Sequence, residues 1–161
     1  MELSKKLTTA KSAMLIRKPA SQVFNAFIDP DITTKFWFTK STGKMEEGKT
    51  VEWTWEMYDL TDSVFVKKIQ LNKYIEFDWG TKDEKARTTV ELKFEKIDEH
   101  STFVSVENYG FSGSEEEIWS GVCDSTGGFS LILAGLKALL EYNIQLGLVA
   151  DRFPKGKELS K

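Results

Sequence analysis

Apolar and polar residues alternate through the middle of this chain, and that alternation constrains the fold more than any other feature. In residues 51–57 one face carries only apolar side chains, namely Val51, Trp53, Trp55 and Met57. The same period of two recurs over Ser63–Leu71, Tyr74–Trp79, Thr88–Phe94 and Thr102–Gly110. Such strands, joined by short turns, predict an antiparallel meander with one buried face.

Helical patterns flank the predicted strands. Before them, a strand is predicted over Leu7–Arg17. A helix that Pro19 opens and Pro30 stops follows it, and then a short helix over Ile32–Phe36 that Asp31 caps. After the strands, Ser114 and Glu117 fit a capping box and begin an apolar stripe, which predicts a helix to about Leu148. Gly127-Gly128 interrupts that stripe, as a bend or as a place where another backbone packs closely.

The chain length and composition predict one domain. With 161 residues and 40% hydrophobic residues, the chain can bury one sizeable core. We predict a single domain over residues 1–148 and a charged C-terminal tail over residues 149–161. The N-terminus lacks the apolar core of a signal peptide, and we expect no segment long enough to span a bilayer.

Charge and cysteine content narrow the functional classes. The formal net charge of −3 argues against a nucleic-acid-binding protein, which would carry a basic surface. Cys123 is the single cysteine, so an internal disulfide is excluded and a cytoplasmic location is expected. His100 is the single histidine and falls in a polar turn, where we expect it to be exposed. No cofactor and no metal site is predicted.

Residues 43–50, GKMEEGKT, match the phosphate-binding pattern G-x-x-x-x-G-K-[ST]. That loop needs a helix after it, so that backbone N–H groups face the phosphates. Here Thr50 opens a period-two strand instead, and Glu46 and Glu47 would place negative charge inside the phosphate site. We therefore predict an exposed hairpin turn and no nucleotide binding.

The order of these elements resembles the START-like (SRPBCC) superfamily. The resemblance rests on PASQVFNAFIDPDITTKFW, Gly48 before the Trp53 strand, YIEFDW, TTVELKF and GGFSLILAGLKALLEY. Within the superfamily, the chain is most similar to homologues of the activator of the heat-shock-protein-90 ATPase. The resemblance implies an α+β helix-grip fold, in which a curved antiparallel sheet wraps around the long C-terminal helix and two short helices follow strand one. It also implies a chaperone as a partner to consider, for which no residue pattern gives support.

In a helix-grip fold the concave face of the sheet looks at the last helix, with a cavity between them. Core packing alone explains any one of the aromatic residues on that face, but together they favour an apolar pocket. Asn108 breaks the apolar run, and would either orient a polar ligand group or bond a nearby backbone group. The predicted cavity residues are Trp37, Trp53, Trp55, Phe77, Trp79, Leu92, Phe94, Asn108, Phe129, Leu133 and Leu136.

Three functional hypotheses follow. The first, which we favour, is a binding or carrier module for a small, mostly apolar or amphipathic ligand, without stable membrane insertion. The second is a cyclase- or hydratase-type enzyme that uses the same cavity. The third is a co-chaperone-like protein-interaction module. No catalytic constellation is recognisable, because Asp78 and Glu107 alternate onto the solvent face and only Asp124 on the long helix is left as a candidate carboxylate.

Overall fold

The structure is a computed structural model that describes residues 4–80 and 86–157. Seven strands and four α-helices follow one another in these ranges, with one 3-10 turn at Glu56–Tyr58. The strands are β1 (Ala10–Ile16), β2 (Lys40–Ser41), β3 (Thr50–Trp55), β4 (Leu60–Gln70), β5 (Tyr74–Trp79), β6 (Thr88–Asp98) and β7 (Ser101–Tyr109). The helices are α1 (Ala20–Ile28), α2 (Pro30–Thr33), α3 (Glu115–Tyr142) and α4 (Leu148–Arg152).

All strands belong to one antiparallel sheet in the order β1-β7-β6-β5-β4-β3-β2. The strands from β3 to β7 are consecutive neighbours, as expected for a meander, and β1 joins the far edge beside β7. With α1 and α2 after the first strand and the long α3 after the last, the structure confirms the predicted α+β class and is consistent with the helix-grip fold.

The capping box that the sequence predicts begins α3. Ser114 Oγ accepts a hydrogen bond from the Glu117 amide at 3.1 Å, and the Ser114 amide donates to the Glu117 carboxylate at 3.3 Å. Three glutamates in the first turn face the positive end of the helix dipole. The helix ends at Tyr142 rather than at about Leu148, because Asn143 adopts a left-handed conformation (φ 53°) that stops it.

Other details of the elements also differ from the prediction. The first strand is shorter than Leu7–Arg17, and β2 was not predicted. The second helix begins earlier because Asp29, and not Asp31, caps it, accepting from the Asp31 amide at 3.0 Å. Met57 does not share the strand face with the tryptophans, since β3 ends at Trp55 and the 3-10 turn leaves Met57 exposed.

The phosphate-binding pattern lies in the loop between β2 and β3, which are antiparallel, so the predicted hairpin and the strand after Thr50 are confirmed. Glu46 and Glu47 are exposed, as predicted. The loop is tied to the neighbouring strand as well, because the Gly48 amide donates to the Val66 carbonyl at 2.8 Å and Glu47 accepts from the Ile69 amide at 2.9 Å.

The core lies between the concave face of the sheet and α3. Its side chains come from alternate positions of the strands, with Val64, Val66, Ile75, Phe77, Val90, Leu92 and Val104 completely buried. From the helical side, Phe27 meets Phe36 and Phe94 edge to face, at centroid distances of 5.4 and 5.6 Å. These aromatic contacts fill the space beneath α1 and α2.

A half-buried ion pair fixes the C-terminal half of α3 to β1. Lys137 Nζ lies 2.7 Å from Glu141 Oε2 and donates to the Leu15 carbonyl at 2.8 Å, while Glu141 accepts from the Arg17 amide at 3.0 Å. Burial alone would raise the pKa of Glu141. The hydrogen bonds from Lys137 and Arg17 outweigh burial and hold that pKa below its ordinary value of 4.5.

The prediction that no segment is long enough to span a bilayer is wrong. The helix α3 is long and apolar enough, by length and composition alone, to cross a bilayer. The core helix of a soluble protein passes the same criterion, and α3 is the helix that packs against the sheet of this soluble α+β domain.

Candidate functional site

A pocket of about 440 Å³ lies between α3 and the end of the sheet where β5 stops and β6 starts. The sheet side contributes residues from β3 to β7, and the helical side contributes Gly121 to Ile132 of α3. The segment after α3 closes a further side with Val149, Arg152 and Phe153. This volume is in the range of small-molecule sites.

Aromatic rings form most of the apolar wall. Trp37 and Trp79 both meet Phe129 of α3, with centroid distances of 5.7 and 5.6 Å, and Trp55 lies 6.4 Å from Trp79. Period-two alternation places Trp55 and Trp79 on the concave face, and Trp37 follows α2. Large rigid rings of this kind offer a flat apolar contact surface at low cost in conformational entropy.

A polar network lies beside the rings. Thr88 Oγ1 accepts hydrogen bonds from Trp79 Nε1 and from Asn108 Nδ2, both at 2.9 Å. Asn108 Nδ2 also donates to the Thr89 carbonyl at 2.8 Å, and Asn108 Oδ1 accepts from Ser125 Oγ at 2.7 Å. The network therefore joins β5, β6, β7 and α3 at the pocket.

The charged residues of the lining are Asp62, Asp124 and Arg152, and the last two form an ion pair. Arg152 Nη2 lies 3.2 Å from Asp124 Oδ1 and donates to the Asp124 carbonyl at 3.2 Å. The guanidinium rests against the two glycines of α3. A Cβ on Gly127 would lie 2.8 Å from Nη2, and one on Gly128 would lie 3.0 Å from Nη1. The glycine pair therefore leaves room for a side chain from α4, and the helix continues through it.

Tyr58 holds α4 in place over the pocket. Its hydroxyl donates to the Val149 carbonyl in a short hydrogen bond and accepts from the Phe153 amide at 3.3 Å. Because Tyr58 belongs to the 3-10 turn after β3, these bonds connect the sheet to the segment that follows α3. Part of the segment predicted as a tail is thus a helix that contributes to the pocket.

The structure divides the predicted cavity residues into two groups. Trp37, Trp55, Trp79, Asn108 and Phe129 line the pocket. Six others belong to the buried core and are not among the lining residues, namely Trp53, Phe77, Leu92, Phe94, Leu133 and Leu136. Asn108 is 1% exposed and bonds a backbone group as well as two side chains.

Thr88, Ser125, Tyr58 and Arg152 were not predicted as site residues. Ser125 lies four residues before Phe129, so a polar residue on the apolar stripe of α3 was a usable signal. Thr88 is the first residue on the apolar face of β6 and lies opposite Trp79 of β5. The indole N–H of Trp79 needs an acceptor, and Thr88 can supply it. Tyr58 and Arg152 carried no comparable signal, because loop geometry brings them to the site.

Groups that could support acid–base or metal chemistry lie elsewhere or are already paired. His100 is exposed, as predicted, and Cys123 is exposed too, so it does not serve as a buried hydrophobic residue. Asp124 is engaged with Arg152, and Asp62, which also lines the pocket, accepts from the Gly80 amide at 2.8 Å. Within residues 4–80 and 86–157, no group of three or more His, Cys, Asp or Glu side chains could hold a metal ion.

Residues 17–141 match the family model described as Activator of Hsp90 ATPase homolog 1-like protein. The chain belongs to that family. No curated protein matches this member of the Activator of Hsp90 ATPase homolog 1-like family. The match ends before α4, so the part of the pocket formed by Val149, Arg152 and Phe153 lies outside the residues matched to the family.

Solved structures share the fold of this family member. A protein of Staphylococcus saprophyticus is 25% identical with a TM-score of 0.73, over 86% of this chain and 95% of that one. The Aha1 dimer of Colwellia psychrerythraea is 18% identical with a TM-score of 0.70, over 83% of this chain and 96% of that one. An HSP90 activator of Plasmodium falciparum is 18% identical with a TM-score of 0.68, over the same shares.

Proposed function

We propose that this protein is a binding or carrier module for a small, mostly apolar ligand, held between the sheet and α3. One observation carries the proposal, which is the aromatic wall of Trp37, Trp55, Trp79 and Phe129 beside a polar network. The rings supply apolar contact area, and the network supplies a place for one polar group. We also propose the organisation predicted from the sequence, a domain over residues 1–148 and a charged tail over residues 149–161, with the first residues of the tail folded as α4 against the pocket.

Hydrogen bonding within the protein supports a binding role over an enzymatic one. Asn108 and Asp124 are the polar lining groups that the sequence singled out, and each is already paired inside the protein. A general acid or base needs a proton-transfer group that can reach substrate. The exposure of Cys123 is compatible with the reducing, cytoplasmic location that we also propose.

Tryptophan fluorescence tests the proposal. Three of the five tryptophans line the pocket, so titration with medium-chain fatty acids should shift the emission and saturate. Flavonoids absorb in the same spectral range and are better titrated by calorimetry. A panel that produces neither a fluorescence change nor heat of binding would remove the support for a ligand-binding module.

Two matched tryptophan variants locate the response. Trp55 lines the pocket, whereas Trp119 is 62% exposed on α3 and is not among the lining residues. Trp55→Phe should reduce the ligand-induced change, and Trp119→Phe should leave it intact while lowering the background emission. An equal loss in both variants would place the binding site outside the pocket.

The family match favours a second candidate, a co-chaperone-like interaction module. The solved HSP90 activator of Plasmodium falciparum shares this fold, and a fold alone does not fix a function. The two candidates separate in one assay, in which the ATPase rate of a purified Hsp90 is measured with and without the protein. Stimulation of that rate would favour the interaction module over the carrier.

A further inference from the structure

We infer that the pocket selects apolar molecules that carry a hydroxyl group, which Thr88 and Ser125 bind while Asn108 positions both side chains. The inference rests on the proposed binding function and names the ligand class for the same site. It depends on which hydrogen-bonding capacities the polar network uses and which it leaves free.

The orientation of the Asn108 amide follows from its neighbours. The Thr89 carbonyl oxygen can only accept a hydrogen bond, and it lies 2.8 Å from one end of the amide, so that end is the nitrogen. The same nitrogen lies 2.9 Å from Thr88 Oγ1 and donates to it. The oxygen then faces Ser125 Oγ at 2.7 Å, and Ser125 must donate.

Thr88 is consequently left with a hydrogen to donate. An indole N–H can only donate, so Thr88 Oγ1 accepts from Trp79 as well as from Asn108, which uses both of its lone pairs. The Thr88 hydroxyl hydrogen meets no acceptor among the described residues. Thr88 is 7% exposed and lines the pocket, so a ligand atom is well placed to accept that hydrogen.

Ser125 has the complementary capacity. Its one hydroxyl hydrogen goes to Asn108, and its oxygen keeps lone pairs that can accept. Both residues line the pocket, and both hydroxyls bond the Asn108 amide, so the two hydroxyls lie close together beside the aromatic wall. Among simple oxygen groups, a hydroxyl both accepts from Thr88 and donates to Ser125, whereas an ether or ketone meets Thr88 alone.

Asn108 is a positioning residue in this arrangement. Its amide hydrogens and its oxygen are engaged with Thr88, Thr89 and Ser125. The amide thereby fixes which of the two hydroxyls donates to the ligand and which accepts. A ligand that left either group without a partner in the pocket would lose affinity.

Three probes that share one ring system test the inference by calorimetry. 2-Naphthol can accept and donate, 2-methoxynaphthalene can only accept, and naphthalene can do neither. The wild type should bind 2-naphthol about two- to tenfold more tightly than naphthalene for each hydrogen bond formed. Thr88→Val should weaken 2-naphthol and 2-methoxynaphthalene by that factor and spare naphthalene. Ser125→Ala should weaken 2-naphthol alone, and Thr88→Ser should retain the wild-type order.

The outcomes separate this inference from the proposed function. Equal binding of 2-naphthol and naphthalene by the wild type, or an equal loss for both in Thr88→Val, overturns hydroxyl selection and leaves an apolar carrier. Failure of all three probes to bind overturns hydroxyl selection and counts against the carrier as well. If Thr88→Val does not fold, the wild-type ratio, Ser125→Ala and Thr88→Ser decide the question.

Discussion

The two halves of α3 face the same sheet in different surroundings. In the C-terminal half, Leu133 and Leu136 are completely buried, and a Cβ on Gly135 would lie 3.5 Å from the Phe36 Cβ. In the N-terminal half, the helix carries small residues at positions 125–128 and lines the pocket. The comparison teaches that one continuous helix can both complete a core and leave a binding space, because buried leucines in one part give way to serine and glycine at positions that line the pocket.

A pair of leucines in α3 offers the largest expected effect. Leu136→Ala should reduce the free energy of unfolding by about 2–5 kcal/mol, because it leaves a cavity in a filled core. Leu131 lines the pocket and is half-buried, so Leu131→Ala should cost only about 1–2 kcal/mol. Urea denaturation measures both. Equal losses would mean that the core-facing and pocket-lining positions of α3 are packed to the same extent.

Glu141→Gln probes how the filled half is fixed to β1. Removing one member of a fully buried ion pair lowers the free energy of unfolding by about 3–5 kcal/mol. Because the Lys137 side chain is 27% exposed, we expect a smaller loss of about 1–3 kcal/mol at pH 7. Because the folded-state pKa of Glu141 is lowered, its contribution is complete above its ordinary value of 4.5 and is lost as pH falls through the folded-state pKa.

The pH dependence of the Glu141→Gln effect separates charge from shape. The difference in unfolding free energy between wild type and variant should therefore shrink below pH 4.5. Glu95→Gln, at an exposed position on β6, is the control and should stay within about 0.5 kcal/mol at every pH. A difference for Glu141→Gln that does not change with pH would assign the effect to packing.

Tyr58→Phe tests how α4 is held beside the pocket, and it has the smallest expected effect. It removes the hydroxyl that bonds Val149 and Phe153, and should lower the opening free energy of the α4 segment by about 0.5–1.5 kcal/mol. Amide hydrogen exchange in residues 148–153 should become faster, with little change in the core strands. Tyr142→Phe, at a tyrosine that is 67% exposed, should leave the exchange unchanged. Unchanged exchange in Tyr58→Phe would show that other contacts hold α4.

Local patterns were enough to predict most of the elements, whereas the helix-grip arrangement of those elements was implied by the family resemblance. Each long strand has its own alternation, and the start of α3 has a capping box, so these elements could be located from a few neighbouring residues. The end of α3 could not, because Ile144 and Leu148 extend the apolar spacing while the left-handed conformation of Asn143 stops the helix. An asparagine residue does not adopt that conformation by its identity alone, and the surrounding structure decides it.

The pocket was predictable in part for the same reason. Strand alternation places Trp55, Trp79 and Asn108 on the concave face, and all three line the pocket. Alternation cannot say which concave residues border space and which are covered, because that depends on where α1, α2 and α4 lie. The contribution of Arg152 in particular depends on a chain reversal after Tyr142.

The Lys137–Glu141 pair also has a consequence for association between molecules. Leu15 O and Arg17 N flank Ile16 on the outer edge of β1, which is the last strand on that side of the sheet formed by the described residues. A residue of an added parallel strand would donate to the Leu15 carbonyl and accept from the Arg17 amide. Lys137 makes the first of these hydrogen bonds and Glu141 the second. The two side chains therefore take the place of a neighbouring strand and protect this part of the edge from pairing with another molecule.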